Sequence, residues 1–303
     1  MRIRITPLGI VATGLMCVTL AAAPALADWP NDNPTKWVQL PDREHGLDVL
    51  ATFPYPSPTP VDFGKILADD FLCTFSGPIT DIHIWGSWLN DQVPLLPGQT
   101  GQLVPAPTAA KVKLSIHADI PVGPTAPYSR PGAELWSYIF DPFTYVARID
   151  GQGTELFYDP NLGGRIIGTD TQIWQYNFVI PQHEAFRQTA GTVYWLDVQV
   201  APVWDPTLQQ EMPLFGWKTS FQHWNDDAVF ADTNGFAGPL IGSWQELRYP
   251  QHPAIPEHLW GQSIDLAFAL TTIPLPAALP AGAVLFAGMF GAAYIRRLRR
   301  KAI

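Results

Sequence analysis

The amino-acid sequence predicts an all-β protein, an antiparallel β-sandwich or jelly-roll-like single domain at residues 61–272. Three observations support this fold class. Apolar and polar residues alternate with period two in several segments, which is typical of half-buried strands. Proline accounts for 31 of the 303 residues, and proline interrupts helix interiors. Finally, 47% of the chain is hydrophobic, which is enough for a buried core.

The clearest strand lies at residues 111–117, where Val112, Leu114 and Ile116 fall on one face and lysines on the other. Such alternation predicts antiparallel strands packed on one side. The same pattern recurs at residues 174–178, 192–200 and 263–270. Glycine and proline between strands predict loops, for example at residues 156–168. Residues 181–188 predict a short turn of helix.

The N-terminus predicts export. Residues 1–27 combine a basic start, an apolar run and the small residues Ala25 and Ala27, the pattern of a signal peptide cut by signal peptidase before Asp28. The alternative is a transmembrane anchor. Residues 28–60 are polar and proline-rich, which predicts an extended arm lying on the sandwich.

The C-terminus, residues 273–303, has a proline-rich hinge, an uncharged run predicted as a transmembrane helix at 279–295, and a basic tail that includes Arg296 and Arg297. Basic residues next to a membrane span favour the cytoplasmic side, which leaves the body outside. The hinge reads Ile273-Pro274-Leu275-Pro276-Ala277.

This end resembles the PEP-CTERM family of bacterial sorting signals, in its Val-Pro-Leu-Pro-Ala variant with Ile273 in place of Val. The resemblance implies recognition by an exosortase, removal of the helix, and delivery to the cell surface or the extracellular matrix. An ordinary C-terminal membrane anchor is the alternative.

The charge of the chain is divided between its parts. The whole chain carries −9, but seven of its basic residues lie at the two ends, so residues 28–272 hold 11 basic against 27 acidic residues, a net charge of −16. Nucleic acid is excluded as a partner, because phosphate backbones require Lys and Arg. Neutral extracellular polysaccharide or cation-bridged contacts fit an acidic body better.

Cysteine and histidine indicate no redox or zinc site. Residues 28–272 contain a single cysteine, Cys73, which precludes an internal disulfide and predicts a buried thiol. The histidines lack zinc-ligand spacing.

Acidic clusters supply a candidate Ca²⁺ site, since Ca²⁺ takes six to eight oxygen ligands. None of them matches a calcium-loop template, and solvated turn acids are the alternative. The candidate ligands are Asp69, Asp70, Asn90, Asp91, Asn225, Asp226 and Asp227.

Tryptophans beside polar residues supply a candidate sugar platform, because an indole packs on the C–H face of a sugar while amides and carboxylates bind its hydroxyls. Trp85 alternates with Ile82 and Ile84, which predicts that it points outward. Packing within the core is the alternative role for all of these rings. The candidates are Trp85, Trp88, Trp217 and Trp224.

The body also resembles a domain of unknown function that is common in sorted surface proteins of planctomycete-type and related bacteria. The resemblance is carried by residues 68–73, 77–88 and 223–228, among other segments. It implies no known activity, and the sequence shows no Gly-x-Ser-x-Gly nucleophile motif. We therefore expect a non-enzymatic surface or matrix protein that binds polysaccharide. The alternatives are an exported hydrolase with paired carboxylates and a purely structural matrix component.

Overall fold

The computed structural model describes residues 33–53, 64–124, 127–162, 164–209 and 211–273. Over these ranges the chain forms strands and three single turns of 3-10 helix, at Leu89–Asp91, Pro160–Leu162 and Glu257–Leu259. The predicted all-β class is confirmed. The strands are β1 Thr35–Gln39, β2 Leu47–Leu50, β3 Gly64–Leu72, β4 Gly77–Ile79, β5 Asp81–Trp88, β6 Leu95–Pro97, β7 Leu103–Pro105, β8 Ala110–Ile120, β9 Arg130–Phe140, β10 Val146–Asp159, β11 Arg165–Val179, β12 Phe186–Gln188, β13 Val193–Pro202, β14 Phe215–Ser220, β15 Val229–Thr233, β16 Leu240–Glu246, β17 Asp265–Leu266 and β18 Phe268–Thr271.

The predicted end segments lie outside this part of the chain. They comprise the signal peptide at residues 1–27 and almost all of the sorting segment, including Pro274, Leu275, Pro276, Ala277, Arg296 and Arg297. Among the residues described, no helix has the length and apolar character needed to cross a membrane.

Two large sheets share one core. The six-stranded sheet has the order β16-β15-β3-β13-β8-β9, and the eight-stranded sheet has the order β1-β18-β5-β11-β10-β2-β14-β17. The core joins Leu114 and Leu196 of the first sheet to Ile84, Phe178 and Phe268 of the second. The alternation at residues 111–117 is confirmed, because its three apolar side chains are buried here.

Five strands of the larger sheet close into a ring. β14 pairs with both β2 and β5, β5 pairs with β11, β11 with β10, and β10 with β2. The β2–β10 pairing is parallel, so the sheet is not purely antiparallel. Closure requires glycine where β5 meets β14: a Cβ on Gly86 would lie 2.3 Å from the carbonyl oxygen of Gly216.

Three local predictions were wrong. Residues 35–39 and 47–50, predicted within an arm, are the strands β1 and β2, because their backbones pair with β18, β10 and β14. Residues 156–168, predicted as a loop, contain the end of β10 and the start of β11, where bulges shift the register and obscure the alternation. Residues 181–188 form a turn followed by β12, which pairs with β4.

A second, smaller core lies around Trp85. It contains Ile173 and Ala269, and Val38 and Leu40 pack against it. Val38 and Leu40 therefore cover apolar side chains of the larger sheet that point away from the main core.

Candidate functional site

The structure places three of the four candidate tryptophans in the interior. Trp85 and Trp88 are 1% exposed and Trp217 is fully buried, so the prediction that Trp85 is outward and available to a sugar was wrong. Each indole N–H is satisfied inside the protein: Trp85 donates to Asp150 (2.9 Å), Trp88 to the Tyr176 hydroxyl (2.8 Å) and Trp217 to the Ala267 carbonyl (2.8 Å). These three rings hold the fold together.

Trp224 is half-buried, and its ring packs edge-on against Trp37 with centroids 5.0 Å apart. It therefore retains some access to solvent, but it does not line the cleft described next.

A cleft of about 860 Å³ lies between residues 38–45 and Phe221. Its apolar wall is formed by Val38 and Leu40, which pack against the buried ring of Trp85. Phe221, which is 57% exposed, also lines the cleft. The remaining lining is mostly charged: Pro41, Asp42, Arg43, Glu44, His45 and Asp150. An apolar surface with a few placed polar groups is the usual character of a small-ligand site.

The charged rim of the cleft is fixed by its own contacts. Asp150 forms ion pairs with Arg43 and with Arg148 (Nη2 to Oδ1, 3.2 Å), and it also accepts the Trp85 N–H. Oδ1 of Asp42 accepts the backbone N–H groups of Glu44 (2.9 Å) and His45 (3.0 Å). The carboxylates of Asp42 and Asp150 are therefore held in place by contacts within the protein.

Two of the three predicted acidic clusters come together. β3 and β15 pair antiparallel, with Val229 opposite Ala68, so residues 225–227 lie beside Asp69 and Asp70. Asn225 donates a hydrogen bond to Asp70. Asp69 is fully buried and accepts hydrogen bonds from the Leu266 N–H (2.6 Å) and other amides.

Burial governs the charge of this cluster. It raises the pKa of Asp70 to about 8 and that of Asp69 well above its usual range, and nearby Asp265 adds to both shifts. Asp226 accepts the Ser129 N–H (2.9 Å), and Asp227 pairs with Arg248. Hydrogen bonds and an ion pair thus occupy oxygens that were considered for Ca²⁺, and Ca²⁺ binding stays a prediction.

The third predicted cluster, Asn90 and Asp91, lies apart from these residues and contacts β11. Oδ1 of Asp91 accepts the backbone N–H groups of Thr171 (2.9 Å) and Gln172 (3.0 Å) in β11. Asn90 and Asp91 both have φ of 56°, the left-handed conformation that Asn and Asp tolerate best. This pair therefore shapes the turn after β5.

A buried charge cluster, which the sequence reasoning missed, lies inside the ring of five strands. Each of the five strands contributes one side chain. Since the strands form a closed ring, side chains from all five can meet only inside it. The members are Asp48 of β2, Ser87 of β5, Glu155 of β10, Asp170 of β11 and Lys218 of β14, each no more than 6% exposed.

The ammonium of Lys218 is central to this charge cluster. Its Nζ lies 2.6 Å from Oε2 of Glu155 and 3.7 Å from Oδ2 of Asp48. The oxygens of Asp48, Glu155 and Asp170 lie within 4.8 Å of one another, close enough to hold a metal ion. A lysine already supplies a positive charge there, so this geometry does not by itself indicate a metal.

One lysine cannot neutralise three buried carboxylates. Burial raises the pKa of Asp48 and Asp170 to about 7 and that of Glu155 to about 8, while Lys218 opposes each shift. These groups consequently hold protons near neutral pH. The available sequence signal was Lys218 itself, a lysine that directly follows Phe215-Gly216-Trp217 in β14.

A third polar group, on β8 and β13, contains serine, aspartate and histidine but not in the order of a catalytic triad. The Ser115 hydroxyl donates to Asp197, and His117 Nε2 lies 2.7 Å from the other oxygen of Asp197. Burial disfavours charge on His117, but the contact with Asp197 outweighs it and raises the histidine pKa. Since the serine does not reach the imidazole, the histidine cannot activate it.

Comparison with known proteins gives a family and no activity. No curated protein and no solved structure matches the chain. One family model matches most of it, and the match includes β1 and β2, which the sequence had assigned to an arm. The family model described as "Domain of unknown function (DUF7901)" covers residues 35–271, and the chain belongs to this family.

Proposed function

We propose that this chain is an exported cell-surface or matrix protein whose β domain binds a neutral polysaccharide in the cleft between residues 38–45 and Phe221. The observation that carries the proposal is the cleft itself. It pairs an apolar wall and an exposed aromatic ring with a charged rim in which contacts within the protein hold the carboxylates of Asp42 and Asp150.

Sugar chemistry fits these walls. The C–H faces of a pyranose ring pack on aromatic and aliphatic surfaces, and its hydroxyls bond to carboxylates and guanidinium groups. The net charge of −16 on residues 28–272 disfavours anionic polymers and favours neutral ones.

The two ends support the proposed location. A signal peptide at residues 1–27 would direct export, and the segment 273–303 would be recognised by an exosortase-type enzyme. Fractionation of cells that express the full chain tests this part. We expect the domain at the surface or in the matrix, and retention in the cytoplasm would contradict it.

Binding is favoured over hydrolysis by the placement of the carboxylates. Asp48, Glu155 and Asp170 converge, but they are buried where a polymer cannot reach them. Of the three acids that line the cleft, Asp42 accepts backbone amides and Asp150 forms ion pairs, which leaves Glu44 without a second acid for a catalytic pair. A glycosidase needs a carboxylic acid and a carboxylate facing across the scissile bond.

The test uses a protein spanning residues 28–272 and a panel of neutral and anionic polysaccharides. We expect retention on at least one neutral polymer and weak retention on anionic ones. Release of reducing ends in the same assay would favour the hydrolase alternative. Self-assembly without retention on any polymer would favour a purely structural component.

A further inference from the structure

Lys218 and Asp48 face each other across two neighbouring strands. The β14–β2 pairing places them as direct partners, and neither side chain is exposed. Both oxygens of Asp48 lack a hydrogen bond of ordinary geometry. Phe157, also fully buried, lies against Gly216 beside Asp48, where a Cβ on the glycine would be 2.8 Å from both side chains.

We propose that Lys218 and Asp48 react to form an intramolecular isopeptide bond inside the ring of strands, with Glu155 as the proton-transfer group. The geometry supplies an amine, a carboxyl carbon and a second carboxyl group in one water-poor space. Neither an oxidant nor a cofactor is needed, because the reaction is a condensation.

The condensation consumes the Lys218 ammonium, the Asp48 carboxylic acid and the Glu155 carboxylate. The reaction starts from the protonation state in which Asp48 is neutral and Glu155 is ionised. In that state Glu155 takes a proton from the Lys218 ammonium, and the freed amine attacks Cγ of the Asp48 carboxyl group. A bond forms between Nζ and Cγ, and a C–O bond of Asp48 breaks. The amine gives up a second proton and the departing hydroxyl gains one, in both cases by way of Glu155. The products are an amide, one water molecule and protonated Glu155.

The roles of the two acids follow from their positions. Glu155 Oε2 lies 2.6 Å from Nζ, within reach of proton transfer once the two groups align as a hydrogen bond, which they do not form in this arrangement. Asp48 Oδ2 lies 3.7 Å away, so its carboxyl group is beside the amine without holding its proton. Burial raises the pKa of Asp48 to about 7 and that of Glu155 to about 8, so both acids take up protons near neutral pH, and the reactive state is the one with the proton on Asp48.

The molecule contains a matched control for this chemistry. Lys65 and Asp232 also face each other, on β3 and β15, and form an ion pair. Asp232 is 21% exposed at its side chain and accepts a further hydrogen bond from Asn161 (2.8 Å). A carboxyl group that solvent reaches and that already accepts two hydrogen-bonding partners is a poor target for an amine, so this pair is expected to stay unbonded.

Tryptic digestion tests the proposal directly on the full chain, purified and then denatured. An unmodified chain is cut after Lys218, which releases residues 188–218 and 219–248 as separate peptides. A linked chain resists that cut and yields one branched peptide, in which residues 44–65 are joined to residues 188–248. Its mass is the sum of the masses of these two peptides minus one water. Peptide 44–65 ends at Lys65, so its formation requires cleavage after Lys65. The same digest therefore shows that Lys65 is not linked to Asp232.

We expect the branched peptide from wild type, and its fragmentation should place the link on Asp48. Glu155→Gln should give mostly unlinked peptides, and Asp48→Ala should give none of the branched species. Complete cleavage after Lys218 in wild-type chain that was purified folded and then denatured would overturn the proposal. A link from Lys218 to Glu155 or Asp170 would also overturn it. The wild-type digest decides the matter even if a variant fails to fold.

Discussion

The indole N–H of Trp85 donates to Oδ2 of Asp150 at 2.9 Å, and this contact joins the buried face of the cleft to its charged rim. Arg43 and Arg148 pair with the same carboxylate. A tryptophan that was predicted to stack on a ligand is therefore a support beneath the binding surface. Its effect on binding would act through the position of Asp150.

Replacing Trp85 by alanine is expected to destabilise the domain. The ring is 1% exposed and fills the small core with Val38, Leu40 and Ile173, so its loss should cost about 3–5 kcal/mol. Urea unfolding measures this change. Trp224→Ala is the control, since that ring is half-buried and its loss should cost distinctly less. Equal losses in the two variants would contradict this role for Trp85.

Stability is expected to fall as the pH rises from 5 to 9. Burial raises the pKa of Asp70 to about 8 and that of Asp170 to about 7, so the folded state holds protons that the unfolded state releases above its ordinary carboxyl pKa. The stabilising contribution is fully present below that ordinary pKa and is lost as the pH passes through the folded-state values. Thermal melting at unit pH intervals measures it, and a Tm that rises towards pH 9 would contradict the assignment.

Asp70→Asn isolates one of these groups. The amide cannot ionise, so we expect the variant to be more stable than wild type at pH 9, by about 1 kcal/mol or more. The difference should be smaller at pH 5, because the folded wild-type carboxyl group is then protonated and only the unfolded chain has released the proton. Asp141→Asn, on an exposed turn, is the control and should not alter the pH dependence. A variant with the same stability loss at both pH values would show that Asp70 stays ionised.

The sequence predicted the face of Trp85 correctly but not its exposure. Trp85 does lie opposite Ile84, which is in the main core, as the alternation requires. Alternation gives a side chain's face and carries no information on whether another segment covers that face. Here Val38 and Leu40 cover it, and their approach depends on the pairing of β1 with β18, strands more than 200 residues apart.

The sequence also did not predict which residues from distant strands would meet. Asp69 and Asp70 meet residues 225–227 through the β3–β15 register, and the charge cluster meets through closure of five strands. Period two predicts strands but not which strands become neighbours. Lys218 could have been singled out by local reasoning, as a lysine between the apolar Trp217 and the small polar Thr219 of a buried strand.

The most direct test of the central claim compares Phe221→Ala with Phe143→Ala in binding to the neutral polysaccharide that retains the wild-type protein. Phe221 is 57% exposed and lines the cleft, whereas Phe143 is 61% exposed and lies on the turn between β9 and β10. Affinity electrophoresis should show a loss of about tenfold, or about 1.4 kcal/mol, for Phe221→Ala. Phe143→Ala should bind as wild type does. Equal binding by Phe221→Ala and wild type would contradict a ligand site in this cleft.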